Sequence, residues 1–110
     1  MAPKTAAEVD RFTAMVAAKQ GWRLTADASF YADLADGLRV NWERYGYFLC
    51  PCRDTAGGRA ADADIVCPCR YAAADVAEYG HCFCSLYQSP EFAASGKPAA
   101  GIADRRHAGK

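Results

Sequence analysis

The stretch that decides the fold is CPCRDTAGGRAADADIVCPCRYAAADVAEYGHCFC, residues 50–84, which holds all six cysteines of the chain. They form three units of one design, Cys50-Pro51-Cys52, Cys67-Pro68-Cys69 and Cys82-Phe83-Cys84, with 14 residues between the first two and 12 between the last two. Proline fixes its own φ and pushes the preceding residue toward extended backbone, so each Cys-Pro-Cys is a pre-set fork. A cubane iron–sulfur cluster takes four thiolates, one on each iron. Four ligands taken from this set leave two thiols, and two thiols beside a cluster form a redox couple.

Other readings of the same residues stay open on spacing alone. Structural zinc uses knuckles of the C-x₂₋₄-C type, which do not occur here, and a single Cys₄ zinc would leave two thiols without a task. A three-disulfide secreted scaffold would need an export signal. A small zinc module that presents its helices to a partner, and a plain electron carrier using the cluster alone, are the functional alternatives to a redox enzyme.

Outward from the cysteines, the chain is 110 residues long, which fits one domain over 1–110, with residues 97–110 read as an extended Pro/Gly/Ala-rich tail. Leu, Ile, Val and Phe together number 17, a thin supply for a core, and small domains of this kind usually need a metal or disulfide staple. Thirteen basic and thirteen acidic residues are interspersed, so no basic stripe suggests nucleic acid. Residues 1–10 lack the apolar segment of a signal peptide, and no apolar run approaches the ~18 residues of a membrane span. The expectation is a cytoplasmic protein with no membrane partner, where cysteines bind metal or cycle in redox chemistry.

The first half reads as helical scaffold. Thr5-Ala6-Ala7-Glu8 is a capping box, Val9, Phe12 and Val16 share one face, and Gly21 is the stop. A second helix runs from Thr25 or Asp27 to about Arg44, with Phe30, Leu34 and Leu38 on its buried face. Further on, Asp64 to Val66 suits a helical turn and Ala72 to Tyr79 a short helix stopped by Gly80. Ser89-Pro90-Glu91 opens another, with Ser as N-cap and Pro at N1.

With its three motifs, the approach Arg44-Tyr45-Gly46-Tyr47 and the run from Tyr79 to Tyr87, the sequence resembles the catalytic subunit of ferredoxin–thioredoxin reductase. The likeness covers roughly residues 24 to 92, and the spacing is similar to bacterial and archaeal relatives rather than to the chloroplast form. The resemblance implies a mostly α-helical, small single-domain fold with loops wrapped around a [4Fe–4S] cluster. It implies Cys50, Cys67, Cys69 and Cys82 as the cluster ligands and Cys52 and Cys84 as the redox-active pair, with Cys52 the more exposed nucleophile. It further implies ferredoxin as the one-electron donor and a thioredoxin or thioredoxin-like protein as the disulfide substrate. The chloroplast-type enzyme also needs a small partner subunit, a requirement this sequence leaves open.

Phe83 stands where the chloroplast-type enzyme has a histidine that assists proton transfer. His81, two positions earlier, is the candidate to replace it, and a structural histidine is the other reading. Arg53 and Arg70 follow their motifs directly; each is either a cation favouring thiolate or a solvated surface arginine. Tyr71, Tyr79 and Tyr87 are expected to pack around the cluster, and Phe83 to shield it.

Overall fold

A computed structural model describes residues 4–106 of the chain; residues 1–3 and the end of the expected tail, 107–110, lie outside the described residues. About half of the chain is helical. Helix α1 (Ala6–Gln20) begins at the predicted capping box, in which Thr5 Oγ1 accepts from Glu8 N–H and Glu8 Oε1 accepts from Thr5 N–H, both at 3.1 Å. Helix α2 (Ala28–Tyr45) is capped by Asp27, whose side chain accepts from Phe30 N–H at 3.0 Å. A 3₁₀ turn (Ala63–Ile65) precedes α3 (Ala72–Tyr79), and α4 (Pro90–Ser95) starts on the Ser89 cap.

Two short strands escaped the sequence reading. Strand β1 (Arg23–Leu24) pairs antiparallel with β2 (Tyr87–Gln88), with Arg23 opposite Gln88 and Leu24 opposite Tyr87. This ribbon ties the end of α1 to the segment that follows the third cysteine motif. Segments of two residues carry no alternation to detect, so pattern alone could not reveal them.

The core lies between α1, α2 and the cysteine loops. Val9, Val16, Leu34, Leu38, Leu86 and Tyr87 are buried in one cluster with Cys50, Cys67, Cys69, Cys82 and Cys84. Aromatic rings thicken it: Phe48 stacks on Phe12 at 4.6 Å and meets Trp42 at 4.9 Å between centroids. Such contacts add to simple area burial and offset the scarcity of aliphatic side chains. Thr13 Oγ1 and Tyr31 Oη lie 2.8 Å apart, and Tyr31 Oη donates to Asp10 at 2.7 Å, which pins α1 to α2.

One helix-face expectation fails. Leu34 and Leu38 are buried, but Phe30 is 38% exposed. It sits in the first turn of α2, where it lines an open surface cavity of about 390 Å³ with Gln88, Phe92 and Lys97. Periodicity places residues on a face but does not say how far along the helix that face is covered.

Gly37 of α2 marks where the scaffold meets the cysteine loops. A Cβ there would stand 2.9 Å from Pro51 Cβ, so the absent side chain lets the first motif lie directly on the helix. No helix among the described residues is long and apolar enough to cross a membrane.

Candidate functional site

Backbone pairing brings the motifs together. Leu49 and Val66 form an isolated antiparallel bridge, flanked by Cys50 N–H donating to Ile65 O at 2.9 Å and Cys67 N–H to Phe48 O at 2.7 Å. The first and second motifs therefore leave the same short ladder side by side. Asn41 of α2 donates to Leu49 O at 2.8 Å and fixes that ladder to the scaffold. Ala72 N–H, at the start of α3, donates to Cys69 O at 3.0 Å.

The third motif is a tight turn. Ser85 N–H donates to Cys82 O at 2.9 Å, Cys82 N–H donates to Tyr87 O at 3.0 Å, and His81 bridges to Gln88. Ser85 has φ of 67°, a left-handed conformation that costs a side-chain-bearing residue about 1–2 kcal/mol. Its Oγ is buried with no partner among the described residues. Backbone strain of this kind gathers at functional sites. The two Cys-Pro-Cys units are not alike in backbone either, since the Cys67–Pro68 peptide is cis.

All six cysteines are free thiols, five of them buried and Cys52 exposed. Cys84 is the hub of the group. Its sulfur lies 3.8 Å from that of Cys82, and Cys50 and Cys52 are near enough to interact with it electrostatically. Cys67 Sγ is 3.5 Å from Tyr87 Oη, and Tyr87 N–H donates to Cys82 Sγ at 3.4 Å.

The environments divide these thiols electrostatically. The hydrogen bond from Cys84 holds Cys52 and Cys50 below the ordinary thiol value, against the opposing effect of burial. The same donor, helped by the backbone N–H groups of the turn, brings Cys82 down to about 7. Interaction of its single S–H with the neighbouring sulfurs, Cys50 foremost, pushes Cys84 well up. Burial pushes Cys69 up to about 11 and Cys67 higher still.

Buried thiols with such raised values stay protonated unless a soft metal replaces the proton. Among the described residues, no three His, Cys, Asp or Glu side chains converge closely enough to hold a single metal ion. An iron–sulfur cluster makes no such demand, because each of its irons takes one thiolate at a separate corner. Four sulfur donors carried on three loops, inside an apolar cluster, fit that group.

Arg53 is no solvated arginine: its side chain is 3% exposed. Its guanidinium lies 4.2 Å from the Phe83 ring centroid and 5.4 Å from that of Tyr71. Nη1 donates to Asp104 at 2.5 Å, while Nε and Nη2 are buried with no acceptor among the described residues. Arg70, by contrast, is exposed.

His81 is buried, with Nδ1 2.8 Å from Cys82 O and its ring 5.1 Å from that of Phe92. Those contacts belong to the turn's framework. Tyr87 and Tyr71 line the cysteine region, whereas Tyr79 packs with Arg105, 5.8 Å from its ring centroid.

Two contributors carried no sequence signal. Asp62, fully buried, accepts from Tyr47 Oη at 2.5 Å, Thr55 Oγ1 at 2.6 Å and Ala56 N–H at 2.6 Å, and so gathers the loop between the first two motifs. Asp104, in the expected tail, reaches Arg53 across 51 positions.

A family model described as ferredoxin thioredoxin reductase catalytic beta chain matches residues 2–106, a longer span than the motifs alone suggested. No curated protein matches the chain.

Proposed function

The chain belongs to the ferredoxin thioredoxin reductase catalytic beta chain family, the catalytic subunit of an oxidoreductase that binds an iron–sulfur cluster, and from that premise we propose how its own residues act. It reduces the disulfide of a thioredoxin or thioredoxin-like protein, with electrons from ferredoxin. Cys50, Cys67, Cys69 and Cys82 hold a [4Fe–4S] cluster, and Cys52 and Cys84 are the redox pair. The observation that carries this reading is that the one exposed thiol, Cys52, neighbours and interacts with the buried Cys84, whose sulfur lies 3.8 Å from that of Cys82.

Disulfide exchange starts from a thiolate that its target can reach. Cys52 meets both conditions: it is exposed, and the Cys84 hydrogen bond lowers its pKa, with Arg53 adding to the effect. Its sulfur attacks one sulfur of the substrate disulfide and forms a mixed disulfide, and the other substrate sulfur leaves as thiolate and takes a proton. Cys84 then attacks Cys52 Sγ, forming the Cys52–Cys84 disulfide and releasing the second substrate thiol. Burial of Cys84 keeps it from external disulfides, so it reacts with Cys52 alone.

Reopening the Cys52–Cys84 bond takes two electrons and two protons. The cluster, when bound, supplies electrons singly from a one-electron donor. Phe83 and Tyr71 cover the Arg53 guanidinium with their rings. His81, held by the Cys82 carbonyl and the Phe92 ring, keeps the third motif's turn in shape.

Anaerobic purification of Cys52→Ser and Cys67→Ser variants tests the assignment. Cys52→Ser should keep iron and acid-labile sulfide at the wild-type level yet lose disulfide reduction. Cys67→Ser should lose the iron. A wild-type chain that is colourless and zinc-loaded under exclusion of oxygen refutes the reading. So does a Cys52→Ser variant that still turns over.

A further inference from the structure

Arg53 presents more hydrogen-bonding capacity than the protein uses. One N–H is taken by Asp104; Nε and Nη2 are buried and find no acceptor among the described residues. Leaving charged donors unmet inside a protein is costly, so buried guanidinium groups nearly always have acceptors for their fork. The faces of Phe83 and Tyr71 accept the cation but offer no lone pair in the plane of the N–H groups. The guanidinium is charged at any physiological pH and pairs with the Asp104 carboxylate, while its backbone N–H donates to Cys50 O at 3.1 Å. A permanent cation with two open donor nitrogens thus stands over Phe83, the middle residue of the third cysteine motif, and beside Cys50 of the first.

The C-terminal segment holds it there. Asp104 Oδ1 also accepts from Arg106 N–H at 3.0 Å. Arg105 Nε donates to the buried Asp75 at 2.6 Å and Nη2 pairs with Glu78, both on α3. Arg106 pairs with Asp64 at 3.0 Å and donates to Ala61 O at 2.8 Å. Residues 104–106 therefore form a strap across the 3₁₀ turn and α3, and the strap sets the position of the one carboxylate that anchors Arg53.

We propose that Arg53 donates from its two open nitrogens, Nε and Nη2, to the sulfurs of the bound iron–sulfur cluster, and that Asp104 is the positioning residue that orients it for this. The inference rests on the function proposed above. A cation and N–H donors directed at cluster sulfur stabilise the reduced, more negative state, because net charge and hydrogen bonding set the potential. Arg53 accordingly raises the cluster's reduction potential, and the strap makes that potential depend on the chain's C-terminal end.

Potentiometric titration of the anaerobically purified full chain, followed by the optical and paramagnetic signals of the cluster, tests this. Arg53→Gln should lower the ratio of reduced to oxidised cluster at fixed potential by tenfold or more, a downward shift of at least 59 mV for a one-electron couple. Arg53→Lys, which keeps the charge but loses the fork, should fall between. Asp104→Asn gives the sharper sign. If Asp104 were only a nearby negative charge, neutralising it would raise the potential; as the anchor of Arg53, its loss lowers it.

A wild-type chain without iron overturns the proposed function and this inference together. A wild-type chain with a full cluster whose potential stays within threefold in Arg53→Gln overturns this inference alone. Should Arg53→Gln fail to retain iron, Asp104→Asn decides: a fall in potential supports the proposal, and a rise or no change refutes it.

Discussion

Replacing Asp62 by Asn tests how the loop between the first two cysteine motifs is held. The carboxylate accepts three hydrogen bonds, from Tyr47 Oη, Thr55 Oγ1 and Ala56 N–H, and is fully buried. Asn keeps the shape, removes the charge and turns one of the two oxygens into a donor. Hydrogen bonds to a charged group contribute ~1.5–3 kcal/mol and neutral ones ~0.5–1.5, so three bonds lose about 3 kcal/mol in all. At about 1.4 kcal/mol per decade, the protection of the Ala56 amide against hydrogen exchange should fall roughly a hundredfold.

The amide of Val16, in the middle of α1, serves as the reference for global opening. Ala56 protection within threefold of wild type, or an equal fall at Val16, would refute the account. A pH arm adds a second check. Burial would raise the Asp62 pKa, but the bonds from Thr55, Tyr47 and Ala56 outweigh it and hold the carboxyl below its usual value. A depressed folded pKa gives stability that is present above the unfolded value of about 3.9 and lost as pH falls through the folded one. Wild-type Ala56 protection should therefore collapse in that acid range, and the Asn variant should lack the step.

Two glycine substitutions probe the scaffold behind the site. Gly80→Ala puts a Cβ 2.6 Å from the Phe92 ring at φ of 88°, so it should cost more than the ~1–2 kcal/mol of a left-handed residue alone and lower the thermal midpoint. An unchanged midpoint would show that Phe92 moves aside freely. Gly37→Ala should gain up to about 1 kcal/mol of helix propensity, yet lose more through the 2.9 Å approach to Pro51. Net stabilisation in a thermal melt would contradict that packing.

Local chemistry was the most readable part of the sequence. The Thr5 capping box, the Asp27 and Ser89 caps and the Gly80 stop each depend on residues within one turn, and the structure has them all. What failed depended on partners far along the chain. Phe30 has the right spacing for the core, but nothing in its own helix shows that β2 and α4 leave an open cavity beside it. Arg53 reads like any arginine until Asp104 and Phe83 are placed around it.

The candidate site divides in the same way. The motifs named the six sulfurs, five of which the fold gathers into one buried cluster while Cys52 stays exposed. Cys84 is followed directly by the left-handed turn at Ser85, and serine as a residue type gives no hint of that conformation. Asp62 and Asp64 alternate with alanine in an unremarkable run, yet the first clasps a loop and the second receives Arg106.

The bridge between Leu49 and Val66 has an implication for how this architecture tolerates change. Because main-chain pairing at that point fixes where Cys50 and Cys67 begin, the distance between those sulfurs is independent of how many residues run from one to the other. Lengthening or shortening the excursion around Gly57-Gly58 would leave the sulfur spacing intact. Natural variation and engineered insertions alike have room there, where a binding epitope could be grafted without disturbing the chemistry beneath.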